Sequence, residues 1–532
     1  MSCCPPPNTH TRAWIIISSF AVLLVAAFPA VAAITTTAPY LTAAKPIADA
    51  QGKIAVIVDL TDEATDAYPT TVSALAKGAE RFRLGLTFHD PQTTNLVADY
   101  EVKYGFMHVG MTSRVGKSFN AYLSAEQVRL LRRDKNVTLV SQDSQGPAFS
   151  APPWSDNPPI PNGGEVHSWG RVAVNGKDRI PGSTRKVFII DSGVAYHNDL
   201  GSVVKRTNVN CGSMGGCENI DPIYQVVGCY AHSTHVAGII GATNGNGQTA
   251  AGVYAGVDIE SVTPLRGGSN ASICSENQYL TTSAFGYALD YLYDQIWKNN
   301  GGRFGIVSIS MNGPTVALGL VLDASGNIVR QTNHIKLQKL SQPAITKDSN
   351  FRYYRGAFIA QSAGNQNSNV CSVSQQFGHA YLPVFSPAAL PDDGIMVVGA
   401  INKFGEAVSA ATPFSATVPA GLTALPLPSN YGACVDIWAP GDRILSTWGA
   451  HVGSTVSTQT YSGNAPNGSQ GWAFLSGTSM AAPFVAGAAA YLADVYNPTS
   501  AGALEQLVRQ FAVQYNGAID AAGQPVKVVQ LP

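Results

Sequence analysis

"AFLSGTSMAAPFVAG", Ala473 to Gly487, runs from a Gly-Thr-Ser triplet straight into small residues, a proline and an apolar stretch of helical character. Two readings fit these residues. In one, the chain turns sharply and presents the Ser479 hydroxyl at the positive end of a helix, where developing negative charge is favoured. In the other, Ser or Thr merely caps a loop-to-helix junction. Pro483 suits both, since it is expected in or near the first helical turn, where its missing N–H loses little. The choice therefore falls to the residues that the rest of the chain can bring beside Ser479.

Outward from that stretch, the region from about Val166 to the C-terminus alternates strand and helix patterns. "KVFIID", "FGIVSIS", "GAFIAQSAG" and "GIMVVGA" read as short buried strands, and Ser283–Trp297 and Ala481–Tyr496 as helices. Near-continuous apolar strands between helices predict an α/β fold with a mainly parallel sheet covered on both faces. Active residues in such a sheet sit at the carboxyl ends of the strands. Asp191 ends "VFII", Asn365 closes "FIAQSAGN", and "AHSTHVAGIIG" supplies His232 and His235 ahead of a small-residue helical run. Each alone is an ordinary turn former, cap or core residue. The two histidines lack the glutamate and spacing of a zinc-binding His-Glu-x-x-His helix. Taken together, Asp191, His232, Asn365 and Ser479 are the parts that acyl transfer needs. A serine attacks, a histidine takes its proton, an aspartate orients the histidine, and an amide donor holds the oxyanion.

These stretches resemble the motifs of the subtilisin-like serine proteases, the subtilases. "VFIIDSGV" is similar to the aspartate motif, "HSTHVAG" to the histidine motif, "SAGN" to the oxyanion motif and "SGTSMAAPFVAG" to the serine motif. The chain order Asp, His, Ser is that of subtilisin. The resemblance implies a subtilisin-like catalytic domain and a serine endopeptidase that cuts proteins or peptides with no cofactor required for catalysis. It implies catalytic Asp191, His232 and Ser479, with Asn365 in the oxyanion hole. It also implies that substrate is added as a strand between two walls. One wall is Ser310, Met311, Asn312 and Gly313 in "VSISMNGP", and the other runs from Gln361 through Ser362 and Ala363 to Gly364. No member of the triad is missing, which argues against an inactive peptide-binding relative.

Departures from the family pattern fall near the cleft. Ser233 and Asn312 stand where glycine is usual and are expected to add volume next to substrate. Phe484 replaces a frequent histidine, and an inserted segment lies between Pro314 and Phe358. Asp199 and Asn246 resemble positions that supply calcium ligands in some members.

The chain's length of 532 residues and its 45% hydrophobic content allow more than one domain. A net charge of −1 with scattered Lys and Arg gives no footprint for nucleic acid. Arg12, the apolar run Trp14 to Phe28 and the small residues to Ala33 read as a secretory signal peptide over 1–33, with an uncleaved anchor as the second reading. Residues 34–145 read as a small α+β segment, with a capping box at Ser124 and Gln127 and a shared helix face at Val128 and Leu131. Its "SFNAYLSAEQVRLLRRDKNVTLVSQD" is similar to the second half of the ferredoxin-like, inhibitor-like subtilase propeptide. A Pro-rich linker over 146–164 is expected to contain the processing site, and 165–532 to form the peptidase domain of a secreted, monomeric zymogen. The closing "YNGAIDAAGQPVKVVQLP" receives no assignment.

Of eight cysteines, Cys3 and Cys4 precede the apolar run, and Cys211, Cys217, Cys229, Cys274, Cys371 and Cys434 remain. An even number in an exported chain favours disulfides, and counting alone leaves the pairing open. The family resemblance implies Cys229 with Cys274 and Cys371 with Cys434, leaving Cys211 with Cys217.

Overall fold

The computed structural model describes residues 45–46, 48–49, 51–68, 90–147, 165, 167–209, 231–247, 250–264, 279–299, 303–311, 321–322, 328–330, 332–343, 356–370, 392–411, 428–449 and 470–532. The expected leader, Asn312, Gly313 and every cysteine except Cys434 lie outside them.

Four strands, β1 (Ile54–Leu60), β2 (His108–Thr112), β3 (Ser118–Leu123) and β4 (Val137–Gln142), form an antiparallel sheet in the order β2-β3-β1-β4. Among the described residues, a short helix at Asp62–Asp66 and two longer ones, α1 (Pro91–Tyr104) and α2 (Ala125–Leu131), accompany it. Helix α1 starts where Asp90 accepts from Thr93 N at 2.8 Å and Pro91 supplies a preset φ, and it stops at Gly105 in the left-handed region. Helix α2 carries the capping box in full. Gln127 N donates to Ser124 Oγ at 3.3 Å, and Ser124 N to Gln127 Oε1 at 2.9 Å. Leu131 is buried and Val128 packs beside it.

Beyond this sheet lie β5 (Ser144–Pro147), β6 (Lys186–Ile190), β7 (Val203–Asn208), α3 (Ala231–Gly241), β8 (Asp258–Thr263), β9 (Tyr279–Thr281), α4 (Thr282–Asn299), β10 (Gly305–Ile309), α5 (Thr332–Ser341), β11 (Ala357–Ser362), β12 (Ile395–Ile401), β13 (Ile437–Pro440), β14 (Ile444–Gly449), β15 (Gln470–Leu475), α6 (Thr478–Tyr496), α7 (Ala501–Gln510), β16 (Ala512–Ile519) and β17 (Pro525–Val529). Nine of these strands form one sheet in the order β16-β17-β13-β12-β11-β10-β6-β8-β7. Every neighbouring pair is parallel except the β16–β17 hairpin. The central strands β10, β11, β12 and β13 are buried along their whole length, as expected for a parallel sheet covered on both faces.

Alternate residues of these strands feed two cores. Ile189, Ile306, Phe358 and Val398 pack against α3 and α6, whereas Ile190, Val307, Ile309 and Ile359 pack against α4 and α5. The C-terminal hairpin, unassigned in the sequence, extends the sheet beyond β13. Asp520 in its turn accepts from Gly432 N at 2.8 Å.

Residues 43–532 cluster as one unit, so the antiparallel sheet is docked on the large one. Asp290 on α4 is fully buried and accepts from three successive backbone N–H groups, Ser113 at 3.0 Å, Arg114 at 2.6 Å and Val115 at 2.9 Å. Burial outweighs these donors and pushes its carboxyl up to about 6. Ser283 Oγ at the start of α4 donates to Asp143 at 2.6 Å. Helix α5 lies in the inserted segment after Pro314, and its buried Lys336 donates to Ser118 Oγ at 3.2 Å. Immediately after β4, strand β5 pairs antiparallel with β9, carrying Gly146 and Pro147 of the expected linker into a ladder.

At the other edge, buried Glu505 on α7 accepts from Arg509 Nη2 at 2.7 Å and from Gly394 N at 2.8 Å. Burial still pushes its carboxyl from 4.5 up to about 7. A folded-state pKa above the unfolded one means that this stability is fully present below about 4.5 and is lost as pH rises through about 7. The melting temperature of the Glu505→Gln protein is expected to fall less than the parent's between about pH 5 and about pH 8. Parallel pH dependences in the two proteins would contradict the assignment.

Candidate active site

Parallel register places three residues side by side at the carboxyl edge of the sheet. Ile309 is opposite Ile190 on one side and Gln361 on the other, so the next positions, Asp191, Ser310 and Ser362, form one row. The pleat turns that row toward α3 and α6, the face of Ile189 and Ala360.

Helix α3 brings His232 onto Asp191. Nδ1 lies 3.0 Å from Asp191 Oδ1 and 3.1 Å from Oδ2, with Asp191 fully buried. A carboxylate on Nδ1 places the proton there and leaves Nε2 as the basic nitrogen. Asp191 Oδ1 also accepts from Ser192 N at 2.6 Å. The helix is clamped by β14. Thr447 Oγ1 donates to Thr234 O at 2.7 Å, Ser446 Oγ to His235 O at 2.8 Å, and His235 Nε2 contacts Ile444 O at 2.9 Å. Gly238 permits this approach, because a Cβ there would sit 2.3 Å from both hydroxyls. Ser233 is fully buried and its hydroxyl has no hydrogen-bond partner. Its added volume is therefore taken up inside the protein, not next to substrate as the sequence suggested.

Ser479 is the second residue of α6, which begins at Thr478 behind Gly477, with no side-chain cap. The capped-junction reading is thus replaced by a bare helix start, whose first N–H groups have no acceptor within the helix. Gly477 has φ 148°, and a Cβ on it would lie 3.1 Å from Asn365 Nδ2. Thr478 ties the helix to the turn after β11. Its backbone N–H donates to Asn365 Oδ1 at 2.9 Å, its hydroxyl donates to the same oxygen at 3.0 Å, and Gly364 N donates to that hydroxyl at 2.9 Å. With Oδ1 committed to these donors, Nδ2 is the arm of Asn365 available to an oxyanion. Asn430, which the sequence reading passed over inside "NYGACVDIWAPG", braces the same turn. It accepts from Gln366 N at 3.1 Å and Ser368 N at 2.9 Å and donates to Ala363 O at 2.7 Å.

Ser479 Oγ donates to Ser310 O at 3.0 Å, and Ser310 Oγ donates back to Ser479 O at 2.9 Å. Pro483 stands five residues beyond the helix start, in the second turn. The carbonyl deprived of its helical partner is that of Ser479, so the expectation that Pro483 loses little is corrected: a side chain from another strand fills the gap. Met311 is buried, while Ser362, Ala363 and Gly364 lead into the Asn365 turn.

Asp199 is fully buried; Asn246 Nδ2 donates to its Oδ1 at 2.8 Å and Trp472 Nε1 to its Oδ2 at 3.4 Å. Burial, with a contribution from the Glu165 carboxylate, pushes it up to about 6. Glu165 Oε1 is buried, with His167 Nε2 3.4 Å away. Two mutually repelling carboxylates fit a hard, oxygen-seeking cation. Among the described residues no group of three or more His, Cys, Asp or Glu could hold a metal. Cys434 is buried.

The profile of the Subtilase family matches residues 182–524. Subtilisin-like serine protease AsES of Sarocladium strictum is 25% identical over 402 residues, 73% of each chain. Alkaline protease 1 of Aspergillus clavatus is 32% identical over 354 residues, 66% of this chain and 62% of its own. The crystal structure of fervidolysin from Fervidobacterium pennivorans, 17% identical, superposes with a TM-score of 0.51 over 90% of this chain and 60% of its own. That likeness is one of fold.

The Thr478 hydroxyl serves two bonds at once, so Thr478→Val is expected to lower kcat on the order of tenfold. An unchanged kcat in a folded Thr478→Val protein would show that the lock is dispensable.

Proposed function

This chain belongs to the subtilase family of serine proteases, and on that premise we propose that it is a secreted endopeptidase made as a self-processing zymogen, with Asp191, His232 and Ser479 as its triad. The observation that carries the reading is the two-oxygen contact of Asp191 with His232 Nδ1, set at the same sheet edge as the nucleophile-bearing start of α6. Ser479 Oγ attacks the scissile carbonyl and passes its proton to His232 Nε2. Asp191 balances the imidazolium, and the oxyanion rests on Asn365 Nδ2 and the Ser479 N–H. His232 then gives the proton to the leaving amine, and water repeats the sequence to release the acid. Peptide entering along Ser310 to Gly313 and Ser362 to Gly364 displaces the Ser479 hydroxyl from the Ser310 carbonyl.

Residues 34–145 act in this reading as the chain's own inhibitor and folding assistant. The clamp of Asp290 on residues 113–115 and the pairing of β5 with β9 support it, since β5 leads into the 146–164 linker where self-cleavage falls. The enzyme is monomeric, takes no nucleic acid, and leaves the cell through the 1–33 signal peptide. Among the described residues no helix is long and apolar enough to cross a membrane. Cys434 pairs with Cys371, Cys229 with Cys274 and Cys211 with Cys217. Asp199, Glu165 and Asn246 would hold a calcium ion, which would be structural and take no part in the chemistry.

The parent protein is expected to hydrolyse casein and to cut itself between Asp143 and Val166, whereas Ser479→Ala does neither and accumulates as the uncut form. Retained caseinolysis by Ser479→Ala would overturn the assignment. Chelation is expected to lower the parent's melting temperature and to leave that of Asp199→Asn unmoved. A parent melting temperature indifferent to chelation would remove the calcium.

A further inference from the structure

A helix that begins at Thr478 needs an N–H at position 483 for the carbonyl of residue 479. Pro483 has none, and its ring presses on that same carbonyl. The backbone of Ser479 would then be held on one side only, at the point from which both its hydroxyl and its N–H are aimed. Ser310 Oγ meets the freed carbonyl at 2.9 Å, and the Ser310 carbonyl accepts from Ser479 Oγ at 3.0 Å. Ser310 is itself almost fully buried and follows directly on β10, a strand buried along its whole length between β6 and β11. It is therefore a rigid anchor, in the same row as Asp191.

We propose that the Ser310 hydroxyl is a positioning group for Ser479, taking over the carbonyl that Pro483 leaves without a helical partner. The proposal rests on the peptidase reading above and adds a role distinct from that of the Ser310 backbone in the cleft wall. The hydroxyl touches neither substrate nor a reacting atom. It acts by fixing the orientation of the first turn of α6, where a misplacement of about 1 Å costs on the order of a hundredfold in rate.

The test is a double-mutant cycle on the full chain, read by kcat and KM on a peptide substrate and by the rate of fluorophosphonate labelling. Ser310→Ala is expected to lower kcat and the labelling rate about tenfold with KM changed by less than about twofold, and Ser310→Thr, which keeps the hydroxyl, to retain most of both. In the Pro483→Ala background a backbone N–H can serve the Ser479 carbonyl, so removing the Ser310 hydroxyl should cost less than about twofold. A full kcat in Ser310→Ala, or an equal loss in both backgrounds, would overturn the proposal while leaving the peptidase reading intact. Should Ser310→Ala fail to fold alone, the double variant decides. Recovered folding and labelling supports the coupling, and no recovery overturns it. An inactive, unlabelled parent protein would overturn the peptidase reading and this proposal with it.

Discussion

The hydroxyl of Thr478 holds together two pieces of chain more than a hundred residues apart. It accepts from Gly364 N and donates to Asn365 Oδ1, so the amide that would receive an oxyanion and the helix that carries Ser479 are fixed by one side chain. A helix start offers unpaired N–H groups to any anion, but it becomes a catalytic device only when its position is locked against the rest of the site. The lock in turn favours Gly477, because a side chain at φ 148° is strained and its Cβ would press on Asn365 Nδ2 at 3.1 Å. Asn430 stiffens the partner turn from the other side.

Beneath the lock, the parallel sheet does the coarse placement. Equal register across β6, β10 and β11 sets Asp191, Ser310 and Ser362 in a row, and the two helices on that face deliver His232 and Ser479 to it. Close packing of α3 on β14 through Gly238 limits how far His232 can drift from Asp191. The opposite face is used differently: α4 and α5 present buried Asp290 and Lys336 to the antiparallel sheet, so one sheet supports the site on one side and the docked segment on the other.

Much of this was legible in the sequence because its signals are local. Apolar runs such as "FGIVSIS" mark buried strands, and Asp191, His232, Asn365 and Ser479 each sit in a short motif at a strand end or helix start. What escaped depends on distant partners. Nothing near Pro483 announces that Ser310 stands in for its missing N–H, and nothing near Asn430 points to the Gly364–Asn365 turn. Ser233 has the size and polarity of a cleft residue, and its burial follows only from the packing of α3. The C-terminal hairpin was illegible for another reason. Strand β16 is an edge with an irregular pattern of exposure, broken by Asn516 and Gly517 in the left-handed region, so it lacks the alternation by which strands are read.

The central claim is that the helix start at Ser479 carries a nucleophile whose base is His232. Peptide mapping by mass spectrometry of the fluorophosphonate-treated mature protein tests it most directly. The account predicts a single stoichiometric adduct on Ser479 that is lost in His232→Ala. An adduct on another residue, or an undiminished adduct on Ser479 without His232, would contradict it.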